Sequence, residues 1–142
     1  MRLAAAFLIL VLAGCVQFWL SGAGVFLNLI FTMLIVFAFF LDFWEMALFV
    51  LLGVLIVNWQ PTMSVEISLF ACIPLATFAC HGMFRSQRWA AIPIAITCGL
   101  FLFYAIAAPH FLWGNPAAFF EDLFGSLIAG WLVFLALRRV AK

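Results

Sequence analysis

Charge is scarce in this sequence: six basic and five acidic residues among 142, or 8%, with a net charge of +1. A water-soluble domain of this length carries roughly three times that fraction, because it has far more outer surface to solvate. A water-soluble globule is excluded, and with it any folded aqueous catalytic domain. The chain also contains no Gly-rich phosphate loop, no Ser-His-Asp order and no basic patch large enough for nucleic acid. Its four cysteines, Cys15, Cys72, Cys80 and Cys98, form no Cys-x-x-Cys pair. Cys72 and Cys80, placed on one helix, stand about 12 Å apart, too far for a disulfide. Cys80-His81 offers no metal site, since adjacent helical positions point about 100° apart and no second ligand pair accompanies them. The expectation is a non-enzymatic protein with no catalytic residue, no cofactor, no metal and no nucleic-acid partner.

What remains is apolar, with 70% hydrophobic residues, 18% aromatic residues and a mean hydropathy of +1.36. Uncharged runs of about 15 to 20 residues match the thickness of a hydrocarbon core. They predict an all-α polytopic membrane protein, one integral domain over residues 1–142 with spans at about 3–20, 25–41, 44–60, 67–84, 89–108 and 118–137. Asn115 and Pro116 suit the cap and first residue of the last helix. Arg2, Arg85, Arg88, Arg138, Arg139 and Lys142 fall on one side of this six-span map. By the positive-inside rule that places both termini in the cytoplasm. Trp19, Trp44, Trp59, Trp89 and Trp113 lie near span boundaries, where indoles favour the headgroup level. Leu12-Ala13-Gly14-Cys15 looks like a lipoprotein cleavage box, but the apolar run continues to Leu20, which favours an uncleaved span.

Few residues invite chemistry. Asp42 and Glu45 before an apolar run fit a capping box better than a proton-coupling pair. Glu121 and Asp122 face the bundle interior or a partner if their helix is immersed from its first residue, and water if its first turns stand above the bilayer; solvation is the expected case. Glu66 shares their outer face, and no basic residue of this chain pairs with it there. The aromatic loop Pro109 to Gly114, with Trp113, suits the headgroup zone or another protein. Glu66, Trp113, Glu121 and Asp122 are therefore the candidate partner or ligand contacts. Small residues recur every four positions, as Cys72, Ala76 and Cys80, as Ala91, Ala95 and Gly99, and as Gly125 with Ala129 and Ser126 with Gly130. Such stripes let membrane helices approach closely. Pro74 and Pro93 predict kinks. Phe31, Phe37, Phe39 and Phe40 on the second span are expected to face lipid.

The layout resembles the bacterial rod shape-determining membrane protein MreD family. The shared pattern is Leu27-Asn28-Leu29, Glu45-Met46-Ala47-Leu48, Gly53-Val54-Leu55-Ile56, the basic turn Arg85 to Arg88, and the closing Phe134-Leu135-Ala136-Leu137-Arg138-Arg139. Many members carry an acidic residue where this chain has Val57-Asn58. The resemblance covers about residues 25–142. It implies a six-helix bundle similar to the substrate-binding subunits of vitamin transporters, used as a scaffold of cell-wall elongation in the inner membrane. Membrane lipids and proteins such as MreC are the implied partners. A small-solute-binding transporter subunit is the alternative, with Glu66, Glu121 or Asp122 lining an outward-facing pocket.

Overall fold

The computed structural model describes residues 2–25, 27–57, 64–84 and 87–140. These form α1 (Arg2–Gly22), α2 (Leu29–Phe37), α3 (Phe43–Val57), α4 (Val65–Cys80), α5 (Arg88–Ala107), α6 (Pro109–Gly114) and α7 (Pro116–Val140), with a 3-10 turn at His81–Phe84 after α4. There is no strand among the described residues. Four helical segments, Leu3–Gly22, Val65–Met83, Arg88–Ala107 and Pro116–Val140, are long and apolar enough to cross a membrane, and Phe43–Val57 is a shorter apolar helix. The chain is thus an all-helical bundle of the membrane-protein type.

The expected second span needs correction. Only nine of the described residues in 25–41 are α-helical, about 14 Å of helix, and every one of them is buried. α2 is the axis of the bundle, touching α1, α3, α4, α5 and α7. Its phenylalanines consequently line the core and not the lipid: Phe31 packs on Phe70 and Phe103, Phe37 on Phe49, and Phe40 on Phe134. Hydropathy alone cannot separate these cases, because a helix sheathed by other helices and one sheathed by lipid are equally apolar. Burial also relaxes the length requirement, since non-helical backbone at membrane depth is tolerated where protein surrounds it.

Contacts along the helices fix their directions. Gly53 lies against Leu34 and Phe37 against Phe49, so α2 and α3 run antiparallel. Phe43 meets Phe78, and Gly99 meets Ile73, giving the same alternation for α3, α4 and α5. Tyr104 meets Asp122, and Gly130 faces Ile96, so α7 returns beside α5. Arg88, Arg138 and Arg139 therefore share one end of the bundle. Glu66, Glu121 and Asp122 share the other. Trp59, Arg85 and Lys142 lie outside the described residues, as do the side chain of Arg2 and the expected end of the third span.

Local signals mostly hold. Asp42 and Glu45 form the helix start, with the Asp42 N–H donating to Glu45 Oε2 at 2.9 Å. Asn115 Oδ1 accepts from the Ala118 N–H at 3.4 Å, one residue before α7 begins. The aromatic loop is itself a short helix, α6, with Trp113 81% exposed. Glycine permits the closest approaches to α2. A Cβ on Gly53 would meet Leu34 at 2.9 Å, and one on Gly99 would meet Ile35 at 2.7 Å. The Cys72, Ala76 and Cys80 stripe behaves differently, being exposed.

Gly99→Leu should lower stability by about 1–3 kcal/mol, because its Cβ alone would meet Ile35 at 2.7 Å and Ile73 at 3.3 Å, forcing both side chains to shift. Gly22→Ala, with nothing within 4 Å of the added Cβ, should be close to neutral. Thermal unfolding of both variants in detergent is the check, and equal melting temperatures would remove the close-approach argument.

Candidate functional site

Between α1 and α2 the chain turns back through an exposed stretch, Ser21 to Gly24, and becomes buried at Leu29. α1 closes with Gly24 at a φ of 81°, a left-handed conformation suited to glycine. The Gly24 N–H donates to the Ser21 carbonyl at 3.1 Å and the Val25 N–H to the Leu20 carbonyl at 3.0 Å, the paired bonds of a Schellman cap. α2 then starts at Leu29 in an apolar interior, where a free backbone N–H costs several kcal/mol. Asn28, at its N-cap, makes no side-chain cap bond of its own. Two other helices supply the acceptors. The Asn28 N–H donates to Asp122 Oδ1 on α7 at 2.8 Å, and the Ile30 N–H donates to Gln17 Oε1 on α1 at 3.0 Å.

Asp122 is fully buried, and the centre grows from it. Its Oδ2 accepts from Tyr104 Oη at 2.6 Å and from Asn28 Nδ2 at 3.1 Å, and its Oδ1 also accepts from Ser126 Oγ at 3.1 Å. Asn28 Nδ2 donates further to Tyr104 Oη at 2.6 Å. Asp122 thus receives four hydrogen bonds, which fills the lone-pair capacity of a carboxylate. It also lies at the N-terminus of α2, where the helix dipole favours negative charge. One side chain of α7 therefore ties together the start of α2, the C-terminal half of α5 and its own helix. No buried side-chain nitrogen or oxygen among the described residues lacks a partner.

Solvation of Asp122 is therefore overturned: one face of its helix is buried from Phe119 onward, and Asp122 lies on that face while Glu121, about 100° around the helix, is exposed. The four expected contact residues do not converge. Trp113 stands out on α6, and Glu66 is exposed at the start of α4. Glu66 lines a cavity of about 180 Å³ with Asn28, Ser64 and Phe70. A larger one, about 390 Å³, lies on the other side of Asn28 and is lined by Gln17, Ser21, Tyr104 and Phe111. The Tyr104 ring stacks on Phe111 with centroids 5.0 Å apart. No three His, Cys, Asp or Glu side chains among the described residues gather as a metal site would need.

Sequence reading missed Gln17, Asn28 and Tyr104 as members of the centre. A signal existed: each is a polar side chain within or beside an apolar run, and the antiparallel map brings all three to the end that carries Asp122. Ser126 was placed in a small-residue stripe, and its position four residues after Asp122 on one helix face predicts their contact.

Replacing Asp122 with Ala should cost about 3–5 kcal/mol, because several buried donors lose their acceptor together. Tyr104→Phe should cost about 1–2 kcal/mol, and Glu121→Ala should stay within about 0.5 kcal/mol. Denaturant unfolding in detergent reads all three, and an Asp122 variant as stable as the Glu121 variant would disprove the capping role. No family model, curated protein or solved structure matches this chain, so the centre is read from its geometry alone.

Proposed function

We propose that this chain is a non-enzymatic integral membrane scaffold of the cell-wall elongation and cell-shape machinery, resident in the bacterial cytoplasmic membrane. Six segments cross the lipid and both termini lie in the cytoplasm, with α2 crossing inside the sheath of the other helices. One observation carries the scaffold reading: the most concentrated polar chemistry in the bundle, the Asp122 centre, is engaged in joining α2, α5 and α7. The clustering of Arg88, Arg138 and Arg139 at one end supports the orientation. Large exposed apolar side chains on α1 and α7, and the aromatic α6, supply surface for lipid and for membrane partners such as MreC, which the MreD resemblance implies.

A second reading rests on the cavity of about 390 Å³ beside Asn28, which falls in the size range of small-molecule sites. It makes the chain a solute-binding subunit of a transporter. Affinity purification in mild detergent separates the two. The scaffold reading expects an elongation protein to accompany the chain and depletion to round rod-shaped cells. A small molecule retained at near-stoichiometric occupancy, or unchanged rods after depletion, would count against it.

The crossing number has its own test. In a background with all four cysteines replaced, Gln87→Cys and Gly114→Cys should react with an impermeant thiol reagent from opposite sides of sealed vesicles. Equal reactivity from one side would overturn the six-span map.

A further inference from the structure

We propose that the seam between α4 and α5 is a binding site for one acyl chain of an anionic phospholipid, whose phosphate rests on Arg88. The seam holds an apolar groove of about 280 Å³. Ala76 and Cys80 form one wall and Ala91, Ala95 and Cys98 the other, with Gly99 against Ile35 at the floor. The two small stripes face each other without closing the gap. An apolar space open to the hydrocarbon region is not left empty, because its lining would lose dispersion contacts on one side.

The dimensions select the occupant. From Ala91 to Leu102 the groove follows twelve residues of α5, about 16 Å of helix, close to half of a roughly 30 Å hydrocarbon core. A partner helix crosses both leaflets, whereas an acyl chain occupies one. The volume corresponds to on the order of ten groups the size of a water molecule, the scale of a single hydrocarbon chain.

Charge selects the headgroup. The groove begins at the end of the bundle that carries the basic residues. Arg88 stands one turn before Ala91 on the same helix and has no ion-pair partner among the described residues. Gln87 gives α5 no side-chain cap, and the Ala90 and Ala91 N–H groups both turn to its carbonyl. The Arg88 and Trp89 amides thus lack an acceptor among the described residues. A phosphate there meets a guanidinium and the first N–H groups of α5 together. Trp89, exposed beside it, marks the headgroup level.

Native mass spectrometry of the full chain in mild detergent, with equal phosphatidylglycerol and phosphatidylcholine added, tests the site. The wild-type chain should retain one phosphatidylglycerol. Ala95→Leu and Ala76→Leu fill the groove from opposite walls, and each should lower retained lipid of both kinds by about tenfold. Arg88→Gln should keep lipid bound but cut the preference for phosphatidylglycerol about fivefold, the weight of one cation at an anionic headgroup. Leu12→Ala, on the exposed face of α1, is the control and should change nothing. Retention unaffected by either groove variant would overturn the proposal, as would a headgroup preference indifferent to Arg88. So would loss of a co-purifying membrane protein in Ala76→Leu with lipid retention intact, which would make the groove a partner's seat.

Discussion

A helix that begins inside an apolar bundle must find acceptors for its first N–H groups, and this requirement organises the molecule. α2 is buried along its whole length, so its first N–H groups need acceptors from neighbouring helices. Asp122 and Gln17 do so from α7 and α1, at 2.8 Å and 3.0 Å. Supplying a carboxylate from another helix fixes more than one bond: α7 must lie parallel to α2 and in register with it. The contacts that follow keep that register, with Leu27 against Gly125, Thr32 and Val36 against Gly130, and Phe40 against Phe134.

A buried carboxylate is costly unless donors surround it. Here the donors are Asn28, Tyr104 and Ser126, and each comes from an element the carboxylate helps to position. Glycine then allows the sheath to close on the axis. Gly53 of α3, Gly99 of α5 and Gly130 of α7 all admit side chains of the central helix or its neighbours at distances an added methyl would forbid. Without a hydrophobic drive between helices in lipid, close contact and internal hydrogen bonding are what stabilise such a bundle.

These two devices were not equally legible in the sequence. The all-helical apolar character, the Asp42–Glu45 start, the Asn115 cap and the small stripes on α5 and α7 are local patterns, set by neighbours within a few residues. The centrality of α2 is not local, because Leu29 to Phe37 looks the same whether enclosed by Leu and Phe of other helices or by lipid. Asp122 shows the same limit. Its burial depends on which way one turn of α7 faces, and a shift of one position exchanges it with the exposed Glu121. The polar residues Gln17, Asn28 and Tyr104 become a site only once the helix directions bring them to one end. Likewise, the stripe of Cys72, Ala76 and Cys80 carries the same spacing as Ala91, Ala95 and Gly99 but remains exposed, since spacing records a face and not what covers it.

The position of the Asp122 centre bears on the two functional readings. A solute-binding bundle has to admit and release its ligand past the segments that border its cavity. The larger cavity is bordered by Gln17, Asn28 and Tyr104, and all three belong to the hydrogen-bonded chain that caps α2. Movement wide enough to pass a ligand between α1, α5 and the start of α2 would break those bonds together, since they share Asn28 and Tyr104. A scaffold gains from the same stiffness, because partners dock on faces whose spacing does not change. The geometry that makes the start of α2 possible therefore weighs against gating at that end, and the faces left free for exchange are the lateral ones, toward lipid and neighbouring helices.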